Sequence, residues 1–213
     1  MDRLALVADT HAYRAGLPSL LAFFQRQGLR HLACLGDCQP EPFRLWLEMD
    51  PNHRLYWVYD VFGPQLPEAT ACGVVLELES RIFLAHTRAL SWTHFNERIR
   101  AYGHGALGYR PPILACHGHT HVPSVTRYAP PCSRLLYTND AVRPREFQPR
   151  RACLDLSPDT VYFIVPGAFT LEDGRHPTFS FTVLDLVDSR VAMVSLKDLA
   201  GLEAVELFPD SEQ

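Results

Sequence analysis

The tetrapeptide Gly118-His119-Thr120-His121 follows an apolar run, Pro112-Ile113-Leu114-Ala115-Cys116. Two histidines one residue apart, just past a strand end, can turn both imidazoles toward one point, and neutral imidazole is the commonest protein metal ligand. Gly118 lets the backbone approach a ligand closely or take a positive φ. A lone His-x-His is weak evidence. Its weight comes from other ligand types at other strand ends: Asp9 and His11 in Asp9-Thr10-His11, Asp37 in Gly36-Asp37, then Asp60 and His86. Mixed imidazole and carboxylate ligands suit Mn, Fe or Zn better than Ca or Mg alone. Asp9, His11, Asp37, Asp60, His86, His119 and His121 make seven candidates. That is too many for one tetrahedral ion and fits two ions sharing a bridge.

The elements that must position these residues follow from periodicity. Leu4 to Ala8, His31 to Leu35 and Arg54 to Val58 are short apolar runs suited to buried strands. Between them, Leu17 to Gly28, with Pro18 early and a late Gly, and Pro42 to Met49 predict helices. Strand-helix-strand-helix-strand implies an α/β chain with parallel pairing and right-handed crossovers. Ligands in such sheets lie beyond the carboxyl ends of the strands. Asp9, His11, Asp37 and Asp60 fall on that edge, and buried carboxylates without partners are costly, so a cation is expected there.

The pattern then becomes antiparallel. Val74 to Glu79 and Ile82 to Ala85 predict a hairpin around Ser80-Arg81 that ends at His86. Trp92 to Tyr102 predicts a helix, and Val161 to Val165 a strand. Phe179 to Leu186 and Arg190 to Leu196 predict a closing antiparallel pair. The chain, 1–213, is expected as one domain carrying a loop-rich insertion at about 122–160, rich in Pro and Arg, with Leu135-Leu136-Tyr137 as a short strand within it.

Composition is that of an ordinary globular chain: 213 residues, 47% hydrophobic, 21% charged, formal charge −4. No field favours nucleic acid. No apolar run is long enough to span a bilayer, and the apolar start, Leu4 to Val7, is too short for a signal-peptide core. A cytoplasmic setting is the expectation. Six cysteines (Cys34, Cys38, Cys72, Cys116, Cys132, Cys153) form no Cys-x-x-Cys pair and are expected to be reduced and structural.

At these motifs the sequence resembles the calcineurin-like metallophosphoesterases, most of all their small bacterial and archaeal phosphodiesterase branch. The family's Asp-x-His, Gly-Asp, later strand-end His and Gly-His-x-His are matched by Asp9-Thr10-His11, Gly36-Asp37, His86 and Gly118-His119-Thr120-His121. Val165-Pro166-Gly167-Ala168 stands where that branch has Asn-Pro-Gly-Ser. The resemblance implies an α/β (α+β) fold of two mixed β-sheets packed as a sandwich flanked by helices. It implies two divalent ions, Mn favoured, with Fe, Zn, Ni and Mg as alternatives. Asp9, His11, Asp37 and His121 would hold one ion, and Asp37, Asp60, His86 and His119 the other, with Asp37 bridging. The implied activity is hydrolysis of phosphoesters, chiefly phosphodiesters, by in-line attack of a metal-bridging hydroxide on a small substrate.

Two departures qualify the resemblance. Tyr59-Asp60-Val61-Phe62 replaces the family's Gly-Asn-x-(His or Asp). Asp60 can supply a ligand oxygen, but Phe62 cannot handle a leaving-group proton. His86 is followed by Thr87 where Gly is usual. The retromer scaffold subunit, similar in fold, acts chiefly by binding proteins, so a scaffold role is the alternative, and phosphomonoester hydrolysis a third. Among the other histidines, His117 is the candidate for a catalytic role because it adjoins the metal loop. Arg88 is the candidate for holding a substrate phosphate. An oligomer is compatible with the sequence.

Overall fold

Strands buried on both faces are continuous apolar runs, and five-residue runs of this kind open the fold. The computed structural model describes residues 1–60, 62–103, 110–129, 132–139, 150–170 and 178–209. β1 (Arg3–Val7), β2 (His31–Leu35) and β3 (Arg54–Val58) lie side by side and parallel. α1 (Leu17–Arg26) and α2 (Pro40–Met49) make the two crossovers. Each has proline in its first turn, where the missing N–H costs nothing. α1 buries Leu17, Leu20, Leu21, Phe23 and Phe24, spaced for one face of a helix, and α2 buries Phe43 and Trp46.

β4 (Ala71–Gly73) adds a parallel edge to β3. β5 (Val75–Leu78) and β6 (Ile82–Ala85) form the expected hairpin. Its turn places Glu79 and Ser80 at φ 51 and 57, the mirrored geometry that matches strand twist. α3 (Arg88–Gly103) starts four residues earlier than Trp92 because Thr87 caps it, accepting from the Leu90 N–H at 3.2 Å. β7 (Ile113–His117), β8 (Ser124–Ala129), β9 (Cys132–Thr138), β10 (Arg150–Asp155) and β11 (Val161–Val165) follow. β12 (Phe169–Thr170), β13 (Thr178–Asp185), β14 (Arg190–Leu196) and a 3₁₀ turn, Leu199–Ala204, complete the chain.

The strands form two mixed sheets. One runs β10-β14-β13-β1-β2-β3-β4, with β12 on β13; the other runs β5-β6-β7-β11-β8-β9. Period-two alternation sorts the side chains into layers. Leu4, Leu6, Leu35 and Met193 of the first sheet meet Ile82, Leu84, Leu114 and Ile164 of the second in a central core. Ala5, Val7, Leu32 and Phe181 face outward onto α1 and α2. Phe83, Ala115 and Phe163 face outward onto Phe95 and Ile99 of α3, with the Phe83 and Phe95 rings stacked at 4.2 Å. The expected sandwich of two mixed sheets flanked by helices is thus the observed architecture.

Two expectations change. The stretch 122–160, read as loop-rich, carries β8, β9 and β10 in its described part, with Leu135 to Tyr137 inside β9. β9 is an edge strand with five exposed residues in succession, so it lacks the apolar alternation that reveals a buried strand. Residues 140–149 lie outside the described part. The second change concerns sulfur: Cys34 and Cys38, expected as free thiols, form a disulfide. Gly36 and Asp37, at φ 94 and 48, turn the chain back immediately after β2 and bring the two sulfurs together. Cys72, Cys116, Cys132 and Cys153 are free. Among the described residues no helix is long and apolar enough to cross a membrane.

One core residue fixes the loop after β3. Trp57, 1% exposed, donates from Nε1 to the Pro64 carbonyl at 2.8 Å and packs edge-on against Phe43. Trp57→Phe shrinks the ring and orphans that carbonyl, so urea unfolding is expected to show a loss of about 1–3 kcal/mol. A change within the error of the measurement would show that the loop is held by something else.

Candidate metal centre

Asp9, Asp37 and Asp60 each lie two residues past a strand end, after Val7, Leu35 and Val58. Because β1, β2 and β3 are parallel, all three carboxylates leave the first sheet at one edge. β6 and β7 are also parallel, and they end at Ala85 and His117, so His86 and the loop of His119 and His121 leave the second sheet together. Backbone bonds then stitch the loops. Asp9 N–H donates to the Gly36 carbonyl at 3.1 Å, His11 N–H to Asp37 at 2.8 Å and Gly118 N–H to His86 at 3.0 Å. Ala168 N–H donates to His121 at 3.3 Å, and Phe169 N–H to Ala8 at 3.2 Å. The His119 N–H reaches across the sandwich to the Asp9 carboxylate, 2.9 Å from Oδ2 and 3.1 Å from Oδ1.

The backbone at these positions is unusual. Asp9, His11, Asp37, His119 and His121 have φ of 51, 46, 48, 69 and 60. A left-handed non-glycine residue costs about 1 kcal/mol or more and persists only where its surroundings impose it, so a cluster points to function. The two glycines nearby are required by contact. At Gly36 a Cβ would land on the His86 ring, and at Gly118 it would lie 2.8 Å from the Leu35 carbonyl oxygen and 2.9 Å from Asp9 Oδ2.

The side chains gather in two groups, each with ligand atoms within 4.8 Å of one another: Asp9, His11 and His121, and Asp9, Asp37 and His86. In the first, His11 Nε2 is 3.3 Å from His121 Nε2, and His121 Nε2 is 3.6 Å from Asp9 Oδ1. In the second, His86 Nε2 is 3.6 Å from Asp37 Oδ2. The residue common to both groups is Asp9, and Asp37, which the resemblance implies as the bridge, belongs to the second group. The two carboxylates differ in depth: Asp9 is fully buried between the loops, whereas the Asp37 side chain, 38% exposed, sits at the rim. His119 lies outside both groups, its ring edge-on to that of His86 with centroids 5.2 Å apart. Asp60 also lies outside them, on the loop closed by Gly63 N–H to the Asp60 carbonyl at 2.8 Å.

These residues suit a cation. Four-coordinate ligands at about 2.1 Å from an ion stand about 3.4 Å from each other, close to the separations found here. His86 Nδ1 donates to the Leu35 carbonyl at 2.9 Å, which fixes the tautomer and leaves the Nε2 lone pair facing Asp37. Asp9 is buried with no arginine or lysine paired to it among the described residues, and the Thr10 hydroxyl beside it is buried without a hydrogen-bond partner. A buried carboxylate in that position demands a positive charge.

No protein-family model matches the sequence, and no curated protein matches it significantly. Solved structures do. A metallophosphoesterase from Sphaerobacter thermophilus is similar over 95% of this chain and 91% of its own, at 19% identity and a TM-score of 0.55. An archaeal phosphodiesterase is similar over 91% of this chain and 99% of its own, at 14% identity and a TM-score of 0.51. A single-substitution variant of Vps29 from Entamoeba histolytica covers 92% and 93%, at 16% identity and a TM-score of 0.50. This chain has the metallophosphoesterase fold.

Within the metallophosphoesterase fold, the two lesser candidates are otherwise engaged. His117 is 4% exposed, and its Nδ1 donates to the Gly118 carbonyl at 3.1 Å. Burial, opposed by that bond, pulls its pKa down to about 4, so it is neutral near pH 7. Arg88 lays its guanidinium over the Phe163 ring at 4.1 Å and reaches Ser133 Oγ at 3.3 Å, against β11 and β9. Sequence reasoning missed the carbonyls of Leu35, Gly36 and Asp37 as the parts that aim the ligands. The signal available for them was Gly36 beside a strand-end Asp.

Gly36→Ala tests the fit directly. A methyl group there displaces the His86 ring and strains a φ of +94, so stability is expected to fall by about 3 kcal/mol or more. Thermal unfolding of the chelated protein measures this without reference to bound metal; an unchanged midpoint would show that the loop relaxes freely.

Proposed function

We propose that the chain is a metal-dependent phosphoesterase that favours phosphodiesters, with Asp9, His11, Asp37, Asp60, His86, His119 and His121 holding two divalent ions. The observation that carries this reading is the pair of ligand groups sharing buried Asp9 at the joint strand-end edge of a metallophosphoesterase fold. Asp9, His11 and His121 would hold one ion; Asp37 and His86, with Asp9 between the groups, would hold the other, and His119 and Asp60 would complete the second. Mixed imidazole and carboxylate donors favour Mn over Ca or Mg. Such ions supply Lewis acidity, acidifying water and drawing charge from phosphoryl oxygens.

The chain's own contribution is placement. The His119 N–H keeps the Asp9 carboxylate from rotating, and the Leu35 carbonyl holds the lone pair of His86 toward the centre. Phe62, 97% exposed on the loop after β3, offers no proton to a leaving group. Substrates whose leaving group departs unaided, aryl esters and diesters, are therefore favoured over alkyl monoesters. The substrate is a small phosphoester and the setting cytoplasmic. A second reading, a protein-binding scaffold on the same fold, is favoured by the likeness to Vps29 and by the exposed phenylalanine.

Hydrolysis of bis(4-nitrophenyl) phosphate with added Mn²⁺ separates the two. Activity abolished by chelation, restored by Mn²⁺, and lowered more than about 100-fold by Asp9→Asn exceeds what loss of a merely orienting partner would cause. Folded, metal-loaded protein without hydrolysis would leave the scaffold reading.

The missing proton donor is tested separately. General acid help is worth about 10²–10⁴-fold, so the aryl diester is expected to outrun an alkyl phosphate by at least the lower figure. Comparable kcat/KM on both would identify another group as the donor.

A further inference from the structure

We infer that the Cys34–Cys38 disulfide is a redox lock on this centre, a modification site that sets how well the ligands are held. The inference rests on the proposed reading of the site as a metal centre. The bond closes the ring Cys34-Leu35-Gly36-Asp37-Cys38, and every residue inside that ring positions a candidate ligand. The Leu35 carbonyl accepts from His86 Nδ1 at 2.9 Å. The Gly36 carbonyl accepts from the Asp9 N–H at 3.1 Å, and the Asp37 carbonyl from the His11 N–H at 2.8 Å. Asp37 adds its own carboxylate to the group with Asp9 and His86. Three consecutive carbonyls thus aim three ligands on two other segments, and the cross-link spans all of them.

The ring has reason to move when opened. Gly36 and Asp37 are both left-handed, at φ 94 and 48, and Asp37 prefers to leave that region. With the disulfide intact the turn cannot extend. With it reduced, restraint falls to the hydrogen bonds alone. Cys34 is fully buried at the end of β2, while Cys38, 2% exposed, lies beyond the turn on the way to α2. Exchange therefore proceeds through a local opening of the loop, and entry of a reductant is coupled to the same motion that releases the ligands. The step balances simply. A dithiol reductant gives two electrons and two protons to the S–S bond, leaving Cys34 and Cys38 as thiols and itself as a cyclic disulfide. In a reducing compartment disulfides are rare and usually transient, serving sensing or catalysis, so the location at a metal site has a use.

Three measurements on the full chain test the lock. Without reductant, the unfolded protein is expected to show four titratable thiols, the six cysteines less the paired two, and six after reduction; six at the outset overturns the inference. In metal-free protein, amide exchange at Asp9 and His11 is expected to quicken about tenfold or more on reduction, since their acceptors lie in the ring. Unchanged protection overturns it whether or not any ion binds. Titration with Mn²⁺ alone should then show affinity falling about 10- to 100-fold on reduction, the range for losing orienting partners. Cys38→Ala should mimic the reduced state and no longer respond to reductant, whereas Cys153→Ser, on β10, should respond like the wild type. If Cys38→Ala does not fold, the wild-type exchange data decide. Absence of Mn²⁺ binding in both redox states would sink the proposed function while the exchange result still judged the lock.

Discussion

Among the contacts that join the two halves of the site, the central one is the buried Asp9 carboxylate accepting the His119 N–H. Asp9 leaves the first sheet and His119 the second, so this bond, together with His86 Nδ1 to the Leu35 carbonyl, holds the strand ends of the sandwich facing each other at ligand distance. A carboxylate with no exposure is costly unless charge-assisted donors and a cation offset its lost hydration. The stitching around it follows from the same demand. Asp9 is anchored by the Gly36 carbonyl, Gly36 must be glycine because His86 occupies the space of a Cβ, and His86 is oriented by Leu35. The chain of dependence runs from one buried charge through backbone carbonyls to the direction of each imidazole.

The sandwich serves this arrangement by being rigid elsewhere. Leu4, Leu6 and Leu35 against Leu84, Leu114 and Ile164 fix the spacing of the sheets, and close packing of that kind transmits little slack to the edge. The helices sit on the outer faces, leaving the strand ends to the loops. The functional face is therefore built wholly of turns, yet turns bonded to one another by main-chain groups rather than to solvent.

Much of this was legible in the sequence, for physical reasons. Leu4 to Val7, His31 to Leu35 and Val161 to Val165 are apolar on both faces, and such runs have few alternatives to a central strand. Asp, Gly-Asp and His immediately after them marked the edge where ligand-type residues collect. Other features were hidden because they depend on contacts distant in the chain. β8 and β9 pair at an exposed margin, where polar residues such as Ser133 and Arg134 are as good as apolar ones. β4 and β12 are three and two residues long, too short for any period to register. The cysteine pair depends on a left-handed turn that composition does not signal, and the depth of Asp9 relative to Asp37 depends on burial set by the opposite sheet.

The left-handed backbone of the five candidate ligands has a consequence for how this chain tolerates change. At each of those positions glycine would be conformationally easier than the aspartate or histidine that stands there. Backbone ease and candidate ligand chemistry therefore pull in opposite directions at the same residues. At Asp9 that ease is offset, because glycine there would also remove the carboxylate that accepts the His119 N–H. At the rim positions the fold by itself thus offers no protection for the proposed ligands, and a stable descendant with glycines there would be the mark of a chain that had abandoned them.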